Sequence, residues 1–110
     1  MPRTARIVMP EIPHHMTQRG NNKQDVFFVD DDRVVFLKLL KQQSEKFRMG
    51  IDGYCLVTNH IHIIATPQKE DSLAKTVGRT NLLYAQYVNY MHGRSGHLWQ
   101  NRLFFLPSWF

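Results

Sequence analysis

At 110 residues, 43% hydrophobic and 21% charged, the chain suits one small folded domain around one core. No run of about 18 apolar residues is present, which excludes a membrane-spanning helix, and a single cysteine, Cys55, excludes an intramolecular disulfide and a cysteine-based zinc site. Fourteen Lys and Arg against nine Asp and Glu leave a net charge of +5, a balance that permits a polyanionic partner without requiring one.

The opening residues, Met1-Pro2-Arg3-Thr4-Ala5-Arg6, are basic but lack the apolar centre of a secretory signal, so a cytoplasmic protein is expected. A first strand is predicted over Ile12 to Arg19, ended by the turn Gly20-Asn21-Asn22. Asp30, Asp31 and Asp32 place negative charge at a helix start. That helix runs to about Phe47, with Val34, Leu37, Leu40, Ser44 and Phe47 along its apolar face. Two strands follow, Ile51 to Thr58 and His60 to Thr66, joined tightly enough at Thr58-Asn59 to form a hairpin. Cys55 falls in the first of these and reads as an inert core residue. Ser72 caps a second helix to about Met91, with Leu73, Val77, Tyr84, Val88 and Met91 on one side. After the turn Gly93-Arg94-Ser95-Gly96, a fourth strand is predicted from His97 to about Phe105.

The order β-α-β-β-α-β is that of the α+β, ferredoxin-like fold: a four-stranded antiparallel sheet with both helices on one face. The other face is left open. Strand alternation puts His15, Thr17 and Arg19 on the open side if Met16 faces the helices, and leaves His14 as a structural residue. It likewise turns Gln100 and Arg102 outward if Trp99 and Leu103 face in. With strand one beside strand three, His15 is expected to approach His60 and His62.

Those two histidines carry the most chemical information. In Val57-Thr58-Asn59-His60-Ile61-His62-Ile63-Ile64-Ala65 they flank one isoleucine, so on a strand both imidazoles point the same way. Two imidazoles side by side can hold a divalent metal. The bland alternative is a pair of polar residues at the rim of the core. A rival motif, the paired H-x-[S/T] of two-histidine phosphoesterases, matches His15-Met16-Thr17 but fails at His60-Ile61-His62.

Three blocks then resemble a known family in matching order. They are His15-Met16-Thr17-Gln18-Arg19-Gly20-Asn21, Tyr54-Cys55-Leu56-Val57-Thr58-Asn59-His60-Ile61-His62, and His92-Gly93-Arg94-Ser95-Gly96-His97-Leu98-Trp99-Gln100-Asn101-Arg102. Together they resemble the IS200-like transposases, in particular the branch associated with repetitive extragenic palindromes. These are single-strand DNA transposases of the His-hydrophobic-His class. The resemblance implies that His60 and His62 bind Mg2+ or Mn2+, which polarises a scissile phosphate in single-stranded or hairpin DNA. It implies that a tyrosine attacks phosphorus, forming a 5′-phosphotyrosine and releasing a 3′-OH.

The family's tyrosine lies on a helix after the fourth strand, and this sequence ends at Phe110 without it, which reads as a chain shortened relative to the family. Tyr54, Tyr84, Tyr87 and Tyr90 are expected to pack rather than react. The alternative function is therefore an inactive transposase remnant that only binds DNA. Candidate DNA contacts are Arg19, Asn21 and Lys23 after the first strand, and Arg94, His97, Gln100 and Arg102 near the end, where positive charge meets flat groups. Trp99 reads as core. Lys75 and Arg79 read as a solvated helix face. Exposed terminal aromatics make a homodimer conceivable.

Overall fold

The computed structural model describes residues 8–100 and 103–107. Arg102, one of the expected DNA contacts, lies outside the described residues. Four strands and two long helices follow one another as β1 (His14–Arg19), α1 (Asp30–Lys46), β2 (Met49–Val57), β3 (His60–Pro67), α2 (Ser72–Met91) and β4 (Phe104–Pro107). A one-turn 3-10 helix, Asn21–Lys23, sits between β1 and α1. The sheet order is β2-β3-β1-β4, with every neighbouring pair antiparallel. This is the ferredoxin-like arrangement the element order implies.

Alternation along the strands divides the sheet into two faces. Met16, Ile61, Ile63 and Ala65 are almost wholly buried against Phe36, Leu40, Leu73, Val77, Tyr84 and Val88 of the helices. Each fully buried Ile contributes about 1.5–3 kcal/mol. Rings close the centre: Phe36 meets Phe27 edge-on at 5.7 Å and Tyr84 edge-on at 5.3 Å. Tyr84 is fully buried and its hydroxyl donates to the Val26 carbonyl at 2.6 Å. Burial pushes its pKa strongly up, so it stays a neutral packing residue.

The start of α1 is organised by Asp32, which is fully buried. Its carboxylate accepts the Phe28 and Val29 N–H groups at 2.8 and 3.1 Å and the Tyr87 hydroxyl at 2.9 Å, and meets His92 Nε2 at 3.1 Å. Burial alone would raise its pKa. The His92 contact, the two backbone donors and the Tyr87 hydroxyl outweigh it, holding the group below the ordinary carboxylate range. This inward anchor also sets the rotation of the helix. The buried positions are Asp32, Phe36, Leu40, Gln43 and Ser44, while Val34, expected inside, is half exposed. On α2 the expected Leu73, Val77, Tyr84 and Val88 are buried, but Met91, at the helix end, is exposed.

Two further expectations are corrected. Cys55 is exposed rather than in the core, because it lies opposite His62 on the uncovered face. The single strand expected from His97 to Phe105 is interrupted. Trp99 bridges Gly20, and Phe104 pairs with Thr17. Gly20 and Thr17 are three positions apart in sequence, whereas Trp99 and Phe104 are five apart on the returning segment. The difference of two positions keeps the alternation in step, and Trp99 and Leu103 turn toward the core and Gln100 outward.

Candidate nucleic-acid and metal site

The uncovered face is built by register. Across β1 and β3, Thr17 lies opposite His62 and Arg19 opposite His60. The same alternation that buries Met16 and Gln18 turns Thr17 and Arg19 outward beside the histidines. The two imidazole rings stand 5.3 Å apart, centroid to centroid, at 75°. Thr17, Arg19, Lys23, Asn59, His60 and His62 line a recess of about 550 Å³.

Each imidazole is held by a neighbour. His60 Nδ1–H donates to Asn59 Oδ1 at 2.9 Å, which leaves Nε2 as the ring's lone-pair nitrogen. His62 Nδ1 meets Thr17 Oγ1 at 3.3 Å. Partial burial, then the nearby His62 and Arg19 charges, hold the His60 pKa below the usual imidazole value. A neutral imidazole is the form that binds metal.

Local backbone geometry brings Lys23 to the recess. Gly20 has no room for a side chain: a Cβ there would sit 2.1 Å from the Gln24 carbonyl oxygen. Its N–H donates to the Asn59 carbonyl at 2.9 Å, tying the β1 exit to the β2–β3 hairpin. The chain then turns through Asn22 and Lys23, both with positive φ. The Asn21 backbone N–H donates to the Leu98 carbonyl at 2.8 Å, fastening this turn to the segment after α2.

The candidate residues therefore separate. His60, His62, Arg19 and Lys23 share the recess, and Gln100 joins Arg19 and Thr17 at its β4 side. Arg94 and His97 belong to another part of the surface. The Arg94 guanidinium donates to Asn89 Oδ1 at 2.9 Å and to Gln24 Oε1, and lies over the Phe28 ring. It braces the turn after α2. The exposed His97 carbonyl accepts Gln24 Nε2 at 2.9 Å. Lys75 pairs with Asp71 at 2.9 Å, as expected of a solvated helix face.

His15 does not join the pair. It lies opposite Ile64 and Leu106, one pleat further along β1, and the places beside the histidines are taken by Thr17 and Arg19. His14 is fully buried, with Nδ1 donating to the Ile12 carbonyl at 2.7 Å and Nε2 accepting the Met9 N–H at 3.2 Å. Asn59 was not singled out by the sequence as a site residue, although its place at the hairpin joint beside His60 was legible.

The family model for IS200-like transposases matches residues 9–108. The chain belongs to the IS200-like transposase family. Among solved structures, its fold is similar to a REP-associated tyrosine transposase bound to a REP hairpin, with a TM-score of 0.73 and 13% identity. That similarity covers 97% of this chain and 62% of the other, so the chain spans about three-fifths of that transposase's length. It is also similar to a candidate transposase from Deinococcus radiodurans R1, with a TM-score of 0.71, 14% identity, and coverage of 96% and 85%. No curated protein is significantly similar in sequence. No helix among the described residues is long and apolar enough to cross a membrane.

All four tyrosines of this IS200-like chain are described, and none lines the histidine recess. Tyr84 and Tyr87 are engaged in the helix layer, Tyr54 faces the α1 side of the sheet, and Tyr90 is exposed on α2.

Proposed function

We propose that this IS200-like transposase domain binds single-stranded or hairpin DNA on the open face of its sheet, with His60 and His62 holding a divalent cation against a phosphate. The observation that carries this reading is the recess itself. Two imidazoles on one face stand beside Arg19 and Lys23, and no carboxylate is among the described residues lining it. A cationic recess without acidic residues suits a phosphodiester. Binding of a REP hairpin by the similarly folded transposase supports the choice of DNA.

The donor set fits a cation that completes its coordination with water and phosphate oxygens. His60 and His62 supply two nitrogens, and no cluster of three His, Cys, Asp or Glu side chains is present among the described residues. Imidazole donors suit Mn2+ at least as well as Mg2+, which prefers oxygen. When bound, the cation would polarise a phosphate oxygen. Asn59 would fix the His60 ring, Thr17 would steady His62, and Arg19 and Lys23 would hold the strand.

In this reading DNA nicking and joining need a nucleophile brought to the recess. That no tyrosine is among the residues lining it favours, for this chain alone, the second reading of a DNA-binding module. Incubation with Mn2+ and labelled hairpin DNA, resolved on a denaturing gel, separates the two. Metal-dependent binding without a covalent adduct is expected. An adduct would show that one of the four tyrosines reacts. No DNA binding would overturn both readings.

A further inference from the structure

We infer that Phe104 is a stacking platform for a nucleobase whose phosphate lies at the histidine recess. The inference rests on the DNA reading above and adds a base-binding subsite to it.

Phe104 is the first residue of β4. It lies opposite Thr17, which lies opposite His62, so the three occupy one row across adjacent strands on the open face. Two strand spacings, about 10 Å, separate Phe104 from His62. That is a gap that a short length of extended single strand can bridge. Phe104 is 58% exposed, whereas the next residue, Phe105, turns inward and packs on the core.

A second recess is lined by Thr17, Arg19, Gln100 and Phe104. It shares Thr17 and Arg19 with the histidine recess, so the two adjoin along these side chains. No carboxylate is among the described residues lining either. An exposed aromatic ring by itself is ordinary on a protein surface. This one shares a recess with a guanidinium and a carboxamide on the uncovered face of an antiparallel sheet. Flat rings on such a face stack bases while flanking cations hold the backbone. The charge complementarity favours nucleic acid over a second copy of this basic chain, which would bring like charges together.

The test compares binding of a short 5′-labelled oligothymidylate with that of an abasic strand of equal length and charge, by fluorescence anisotropy. Phe104→Leu keeps an apolar side chain at an exposed position. Phe104→Tyr keeps the flat ring. The unchanged chain is expected to prefer the base-bearing strand. Phe104→Leu should reduce that preference by about 5- to 150-fold, and Phe104→Tyr should retain it. The salt dependence of Phe104→Leu should match the unchanged chain, because no phosphate contact is removed.

Undiminished preference in Phe104→Leu would overturn the inference and leave the DNA reading standing. So would equal binding of both strands by the unchanged chain. Loss of preference in both variants, with lowered Tm, would assign Phe104 a structural role and overturn it as well. A dimer that Phe104→Leu dissolves without altering base preference would show that a second copy covers this face. Binding of neither strand by the unchanged chain would remove both readings.

Discussion

His14 and His15 are neighbours in sequence and have opposite fates. His14 is buried, with both ring nitrogens bonded to nearby backbone; His15 is exposed on the sheet's other side. The whole molecule repeats that contrast. The helix-covered face is closed by large side chains whose polar groups are used in packing, such as the Tyr84 hydroxyl on Val26. The uncovered face presents His60, His62, Arg19, Thr17 and Phe104 in rows fixed by strand register. One face holds the fold and the other is left uncovered. Because alternation is a period of two, a single strand such as β3 serves both.

Two neighbours on β3 should differ most. Ile61→Ala removes a fully buried side chain and should cost about 4 kcal/mol, read as a lower midpoint in urea. His60→Ala, one residue away, should cost under about 1 kcal/mol. It should instead weaken Mn2+ binding by at least about tenfold, measured by calorimetry. Equal losses of stability in the two variants would contradict the division of faces.

Asp32 sharpens the covered side. Asp32→Ala strands two backbone N–H groups, the Tyr87 hydroxyl and His92, and should cost about 3 kcal/mol. The folded pKa of Asp32 is depressed, so its stabilisation is present above the ordinary carboxylate value and is lost as pH falls through the depressed one. Acid unfolding of the unchanged chain should therefore steepen below pH 3.8, the ordinary value, and Asp32→Asn should flatten that part of the curve. An identical acid limb in the two proteins would sink the assignment. The smallest effect is expected on the open side. Arg19→Ala should leave Tm unchanged while reducing the salt slope of DNA binding by about one. An unchanged slope would count against a phosphate contact there.

The sequence reveals the faces better than it reveals the register. His-x-His on a β-branched run is enough to set two imidazoles on one side, and the β1 alternation is enough to set Arg19 outward. Which β1 residue meets which histidine depends on how two distant strands slide together. That is settled by tertiary contacts such as Gly20 on Asn59, so parity alone brings His15 to the open face without showing that Thr17 and Arg19 are the residues opposite the histidines. The interruption between Trp99 and Phe104 leaves no periodic trace, because a difference of two positions keeps the alternation in step. On α1, apolar periodicity missed a buried carboxylate: Asp32 carries the N-terminal charge expected of a helix start and also turns inward. The Arg94 guanidinium shows the same limit for charge. From sequence it is a free cation near a glycine turn, and in the fold Asn89 and Gln24 hold it.

The most direct test of the two-faced account is paramagnetic broadening of amide NMR signals by substoichiometric Mn2+. Broadening centred on His60 and His62 and reaching Thr17 is expected, with the acidic start of α1 at Asp30 and Asp31 unaffected. Broadening centred on Asp30 and Asp31, or none at all, would contradict it.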